Sequence, residues 1–424
     1  MKRSLLAGLA VSAAAALLLT GCTGGAPTGT AATGDGKTVS YLIGQPDTPE
    51  QLAGIKTEIA RFEKESGIDV DLQVVPNSSA RTLVQTRLRS GKGPDVFGYD
   101  TGPGFAGVLA KAGLLYDLTD HVEKADWGIY DWAKPAVTFD GKFYGIPDQI
   151  EQVGLYYNKD LFKQYGLEAP TTMAALETAA KKIKAEGKIP FAAGDKEGWE
   201  GGHLLSMALA SQVGADDMAK LIAGETSWDS DGVKAALNTW AGFQKAGYLP
   251  PSPNGITYDN SNALFYSGKA AMNPTGTWLI QTLKEAAKFD VGFVNFPAPS
   301  GEAVATTGLG SGTFMSSSSK NTAAALKLMD FLASDGHGQW ELERYLIPAF
   351  AVDGGKSDDP LFQQVIDDTA SYAESGLGTG ANIDVSATDV FNKAMWDGMQ
   401  GIVGGTKTPD QIAASLQAAA EKSK

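Results

Sequence analysis

Gly93-Pro94-Asp95-Val96-Phe97-Gly98-Tyr99-Asp100 closes a pattern that begins near Lys37. Val39 to Ile43 is a β-prone run that stops at Gly44, and Leu52, Ile55, Ile59 and Phe62 then recur at helical spacing. Ile68 to Val75 alternates as a strand, and Leu83, Val84 and Leu88 mark a second helix before Pro94-Asp95-Val96-Phe97 opens a third strand. Alternation of this kind predicts a mostly parallel sheet flanked by helices. Ligands of such sheets sit beyond the carboxyl ends of the strands, here Gly44-Gln45 and Gly98-Tyr99-Asp100.

Further along, Asp140-Gly141-Lys142 is a hairpin signal, followed by Phe143 to Pro147 and a strand-like run from Val153 to Asn158. From Thr171 to about Gly247 the chain reads as helical, with Thr172 as a cap and amphipathic segments at Trp199 to Gln212 and Gly232 to Ala246. Strand signals return at Val291 to Phe296 and Gly312 to Met315, and helices dominate from Asn321 onward. Strands on both sides of a long helical middle point to lobes that the chain visits more than once.

The N-terminus is separate in character. Met1-Lys2-Arg3-Ser4 precedes an uncharged Ala/Leu-rich run from Leu5 to Leu19, then Thr20-Gly21-Cys22. That run reaches roughly 22 Å as a helix, short of the ~30 Å hydrocarbon core of a bilayer, and reads as a secretory leader. Leu19-Thr20-Gly21-Cys22 resembles the lipobox of bacterial lipoproteins, which implies cleavage before Cys22 and acylation of that residue. Two or more acyl chains hold a protein to a membrane stably. Thr23 to Gly36, rich in Gly, Thr, Ala and Pro, is expected to be a flexible tether.

The 424 residues suggest roughly two to three domains. Lys and Arg number 35 against 49 Asp and Glu, a net charge of −14, and no basic run is present, which argues against a nucleic-acid partner. One cysteine excludes an internal disulfide framework, and three scattered histidines (His121, His203, His337) make a metal site improbable. There is no P-loop and no GxSxG elbow, and Gly308-Leu309-Gly310-Ser311-Gly312 leads into a β-type run rather than a helix, so no cofactor is expected. A glycosidase needs only two carboxyl groups, and nothing singles out a pair.

Binding chemistry is better marked. Several of the eight Trp and thirteen Tyr stand beside Gly, Asp or Glu at loop-like positions: Tyr99-Asp100, Trp199-Glu200, Gly276-Thr277-Trp278. A pyranose stacks its flat face on an aromatic ring while carboxylates and amides take its hydroxyls. Covering half of one ring face is worth roughly 2 kcal/mol. Trp240, near Leu237 and Phe243 at helical spacing, reads as core, as does Trp340.

In order along the chain, Gly93-Pro94-Asp95-Val96-Phe97, Gly113-Leu114-Leu115, Gly141 to Pro147, Leu155-Tyr156-Tyr157-Asn158-Lys159-Asp160-Leu161-Phe162, Gly268-Lys269-Ala270-Ala271-Met272, Gly276-Thr277-Trp278 and the helix after Thr408-Pro409-Asp410 resemble the extracellular solute-binding proteins of ATP-driven sugar importers, the maltose-binding-protein-like group. That resemblance implies an α/β, two-lobed, periplasmic-binding-protein-like clamp, each lobe a β-sheet flanked by helices and the hinge crossed about three times. Its expected parts are a leader (1–21), a tether (22–36), a first lobe (37–149 with 305–345) and a second lobe (150–304 with 346–424).

The resemblance also implies ligand contacts at Gln45, Asp100, Glu151, Trp199, His203, Trp278 and Gly310. Each of three has a structural alternative: Glu151 as a hinge salt bridge, His203 as a helix-face core residue, Gln45 as an ordinary loop residue. One departure, Gly44-Gln45 where many relatives carry a bulky aromatic, leaves the ligand's identity open. The implied function is oligosaccharide capture by a monomer anchored at Cys22 on the outer face of the cell membrane, with a permease and its ATPase as partners. The other readings are a secreted carbohydrate-active enzyme and a receptor for a non-sugar solute such as a glycerophosphodiester.

Overall fold

The computed structural model describes residues 36–299, 303–352, 355–375 and 380–423. The leader, Cys22 and the tether lie outside the described residues. Among the described residues thirteen strands form two main sheets and one small hairpin: β1 (Thr38–Gly44), β2 (Asp69–Val75), β3 (Val96–Asp100), β4 (Thr138–Phe139), β5 (Lys142–Phe143), β6 (Gly145–Pro147), β7 (Glu151–Asn158), β8 (Ile189–Phe191), β9 (Ala270–Gly276), β10 (Val291–Val294), β11 (Thr306–Gly308), β12 (Ser311–Met315) and β13 (Gly380–Ala381).

The first lobe is built on the order β2-β1-β3-β12-β6, with helices around it. Helix Pro49–Ser66 shows why the local signals hold. Thr48 and Gln51 form a reciprocal capping box, Pro49 occupies the first turn, and Gly67 at φ 69° ends the helix. Its Phe62 is buried against Phe331, ring centroids 5.3 Å apart. The β4–β5 hairpin turns at Asp140 (φ 51°) and Gly141 (φ 76°), two successive left-handed residues, as a two-residue turn requires.

The expectation of a mostly parallel sheet holds only for its first half. β1 pairs in parallel with β2 and β3, but β12 runs antiparallel to both β3 and β6. The reason is topological: β12 enters from the second lobe and so traverses the sheet in the opposite sense. The second sheet, β13-β11-β7-β9-β8 with β10 also on β7, is mixed.

The passage near 305 also differs from expectation. Thr306–Gly308 pairs with β7 in the second sheet, whereas Ser311–Met315 pairs with β3 in the first. The chain therefore crosses at Leu309-Gly310. Residues 346–350 likewise stay with the first lobe, since Phe350 lies in its core and bridges Ile129.

Helix Trp199–Ile222 is not amphipathic over its first half: every residue from Glu200 to Ser211 is buried. It runs through the middle of the second lobe and is covered on all sides. Helix Asp231–Lys245 packs on it, and Trp240, fully buried, donates its indole N–H to the Leu204 carbonyl at 2.7 Å. Trp340, by contrast, is only partly buried, which corrects its reading as core. Among the described residues no helix is long and apolar enough to cross a membrane.

Replacing Trp240 by Ala removes both the buried indole and its hydrogen bond. The expected loss is about 3–5 kcal/mol of second-lobe stability, visible as a lower urea midpoint, with the first-lobe transition unmoved.

Candidate functional site

The carboxyl ends of β1 and β3 face the second lobe, and the sequence-predicted residues divide between the two lobes. On the first lobe, Asp100 ends β3 and is held by Arg81, whose Nε and Nη2 each donate at 2.7 Å to separate carboxylate oxygens. The same guanidinium lies 4.7 Å from the ring centre of Phe105 and 6.0 Å from that of Trp396 on the second lobe. Phe105 and Trp396 face each other at 6.3 Å and 26°. Gln45 is exposed at the end of β1, with its amide N–H donating to the Pro46 carbonyl at 3.2 Å. It stands at the rim rather than among the rings.

The second lobe supplies an aromatic cluster, each ring placed by a local device. Trp199 begins its helix directly after Gly198, whose φ of 88° suits glycine. Tyr258 begins another after Thr257, whose side chain caps the Asn260 N–H. Trp278 sits in a 3₁₀ turn after β9, its indole folded over Gly276, where any Cβ would overlap it. The Trp278 N–H donates to the Tyr258 hydroxyl at 2.7 Å. Trp199 lies 4.7 Å from Tyr258 and 5.0 Å from His203, and His203 lies 5.1 Å from Trp278.

Asp384 joins the two groups of rings. Its Oδ1 accepts the Trp396 indole N–H at 2.7 Å, and its Oδ2 lies 3.5 Å from His203 Nε2. An arc of rings and carboxyls therefore runs from Phe105 on one lobe through Trp396, Asp384 and His203 to Trp278, Trp199 and Tyr258 on the other.

Burial sets the protonation of this arc. His203, only 6% exposed, has its pKa pushed down to about 3 by desolvation and stays neutral. Desolvation raises Asp384 to about 7, Asp195 to about 8 and Glu200 to about 10. Asp195 Oδ2, Glu200 Oε2 and Asp384 Oδ2 are buried with no hydrogen-bond partner among the described residues. Among those residues no three His, Cys, Asp or Glu groups are gathered for a metal ion.

Glu151 begins β7 at the first crossing and is 9% exposed. Its Oε2 accepts the Gly310 N–H at 3.1 Å, and its Oε1 accepts from the Gln149 side chain at 3.4 Å. No cation pairs with it in the described structure, so the hinge salt bridge is not what is observed; burial, with Asp100 and Asp148 adding repulsion, lifts its pKa to about 8. Gly310 has no room for a side chain, because a Cβ there would run into this carboxyl.

Five members of the site escaped the sequence reading: Arg81, Phe105, Tyr258, Asp384 and Trp396. Phe105 had a signal in the Gly102-Pro103-Gly104 loop that follows β3. Trp396 lies on an amphipathic helix and reads as core, and Asp384 is one acid among 49 acidic residues.

The lobes touch on both borders of the arc. Thr282 Oγ1 donates to Asp47 at 3.0 Å on one side. Gly102 and Gly104 on the other are so close to the Val385 and Ala387 carbonyls that neither admits a Cβ. The clamp is closed in this structure.

Comparison with known proteins adds the context. The family described as bacterial extracellular solute-binding protein matches residues 45–339. A maltodextrin-binding protein of Bacillus subtilis (strain 168) is 30% identical over 329 residues, 72% of each chain. A multiple sugar-binding protein of Streptococcus mutans is 29% identical over 266 residues, 58% of this chain and 60% of that protein. For the first curated relatives the match thus spans about half to three fifths of their length, 51% in one case and 60% in the other. Among solved structures, a chitin oligosaccharide binding protein superposes with a TM-score of 0.78 at 24% identity, covering 91% of this chain and 98% of that one. At that identity the likeness concerns the fold.

The raised carboxyl pKa values carry a sign. A group whose folded-state pKa lies above its unfolded value adds stability at low pH, and that contribution is lost as pH rises through the folded value. For Glu151 and Asp384 the window runs from about 4 to about 8. Glu151→Gln and Asp384→Asn should therefore flatten the fall in melting temperature between pH 5 and pH 9. Melting curves that stay parallel to wild type would show that these carboxyls are not held protonated.

Proposed function

Since this chain belongs to the bacterial extracellular solute-binding proteins, we propose that it captures an oligosaccharide in the interlobe crevice and delivers it to the permease of an ATP-driven importer. The carrying observation is the arc from Phe105 to Tyr258, in which flat rings alternate with carboxyls and both lobes take part. Rings cover the C–H faces of sugar units, and carboxyl and amide groups exchange hydrogen bonds with hydroxyls. Asp195, Glu200 and Asp384 each keep one buried oxygen without a partner among the described residues, and an unpaired buried acceptor costs about 1–3 kcal/mol. Sugar hydroxyls are suited to remove that penalty.

The mechanism is a shift between open and closed forms. A ligand favours closure only through contacts it makes better in the closed form, so contacts to both lobes at once are required. Asp100 with Arg81 and Phe105 serve from the first lobe, and Trp199, His203, Trp278, Asp384 and Trp396 from the second. Glu151 and Gly310, bonded at the hinge, set the floor. Gln45 acts from the rim, on longer ligands.

Members of this family are binding proteins rather than enzymes, and the arc needs no turnover to explain it. Among the described residues the arc also lacks a free cation, since the Arg81 guanidinium is engaged by Asp100. That favours a neutral sugar over a glycerophosphodiester. The same reading has the protein act as a monomer on the outer face of the cell membrane, held there by acyl chains on Cys22 after removal of residues 1–21. The lobes are assigned as 37–149 with 311–350 against 150–308 with 355–423, the strand pairings having moved the expected passages near 305 and 346.

In a thermal-shift screen of di- to tetrasaccharides, ligand at a hundred times its dissociation constant should add about 2.7 kcal/mol of stability. Trp278→Ala should abolish that shift while changing the unliganded melting point by only a few degrees. A sugar released or cleaved during incubation would favour the enzyme reading, and a Trp278→Ala protein that still shifts would remove the arc from the binding site. Cys22→Ala should abolish the acyl mass on the mature protein and release it from membranes.

A further inference from the structure

Apart from the crevice, the first lobe holds a chamber of about 220 Å³ between its sheet and helices Pro49–Ser66, Thr322–Leu332 and Asp335–Leu342. Gly98 pairs with Thr313 across β3 and β12 and so shares that face of the sheet, where a Cβ on Gly98 would meet only the Leu42 carbonyl, at 4.0 Å. A bulkier side chain at this mid-strand position would extend on the Thr313 side of the sheet.

One side of the chamber is apolar, formed by Ile43, Ile55, Ile59, Leu332 and Leu346. Phe62, Ile146, Leu328, Phe331 and Phe350 add to that apolar wall, and the polar part of the lining is tied by hydrogen bonds. Thr313 Oγ1 donates to Asp148 at 2.8 Å, and His337 Nδ1 lies 2.9 Å from Glu58. His337 also stacks on Trp340, ring centres 5.1 Å apart at 16°. Two polar atoms of the lining, Trp340 Nε1 and Glu341 Oε2, are buried without a hydrogen-bond partner in the described structure, and Glu341 is only 8% exposed. One is a donor and the other a carboxyl oxygen, on consecutive residues.

We propose that this chamber is a second binding site, for a small neutral polyol of about four to six carbons. Size comes first: a cavity of roughly 150 Å³ accommodates benzene, so this one takes a somewhat larger guest. Chemistry follows from the lining. A hydroxyl both accepts and donates, so one polyol can take the Trp340 N–H and bond the Glu341 carboxyl while its C–H face covers the isoleucines.

Charge narrows the class. An anion would face Asp148, Glu58 and Glu341, and a cation would find Glu58 already paired with Arg61 and bonded to His337. A neutral guest avoids both penalties. The site is independent of the oligosaccharide reading, because none of the arc residues lines it.

Polyols at high concentration stabilise proteins by exclusion from their surfaces, so the test must be local. Indole N–H resonances of the ¹⁵N-labelled full chain are followed while erythritol or xylitol is added, with Trp340→Phe identifying the Trp340 signal. That signal should shift saturably at millimolar polyol, and equally so in a Trp278→Ala background. Gly98→Val and Ile59→Phe, each narrowing the chamber, should weaken the apparent affinity at least tenfold while oligosaccharide-induced stabilisation persists. Two variants are used so that one poorly folded protein does not decide the matter. A Trp340 signal that stays still, drifts linearly with every exposed indole, or responds unchanged in both narrowed variants overturns the proposal.

Discussion

Between its two sheets the chain passes three times, and the passages are bonded to one another. Ile150 N–H donates to the Ile347 carbonyl at 2.7 Å, Gln149 bridges Pro348, and the Gly310 N–H donates to Glu151 while its carbonyl accepts from Thr101. Separate crossings would let the lobes slide and twist independently. Tied crossings leave one soft motion, opening and closing about the knot, as hinge-type closure requires. The knot also explains why Gly310 is glycine, since the Glu151 carboxyl occupies the space its Cβ would need.

Around that axis the arc gains its physical character from burial. In the closed arrangement the Glu151, Asp384, Asp195 and Glu200 carboxyls are desolvated with no Lys or Arg paired to them among the described residues, and each is pushed toward its neutral form. A neutral carboxyl both donates and accepts, as a sugar hydroxyl does. On the first lobe Arg81 holds Asp100 bidentately, and the aromatic stack of Phe105 and Trp396 is set against that pair.

The chamber in the first lobe lies close to the same axis. Asp148, Gln149 and Ser311, all part of its lining, are one or two residues from the crossings at 150 and 310. A guest there would touch the strand ends that lead into the hinge, although it would lie apart from the arc.

What the amino-acid sequence determined alone was local. Apolar periodicity, the Thr48 and Thr172 caps and the Asp140-Gly141 turn placed strands and helices because each depends on neighbours a few residues away. Motif order implied the clamp, and Trp199, His203 and Trp278 were named from it and are brought together by the fold. Tertiary structure alone decided the direction of β12, the crossing at Leu309-Gly310, and the joining of Phe105 to Trp396 and of His203 to Asp384. Those pairs are separated by 181 to 291 positions. Their rings and carboxyls look like ordinary core or surface residues until two lobes close over them, since burial and partnership are properties of the packed chain and leave no periodic mark on the sequence.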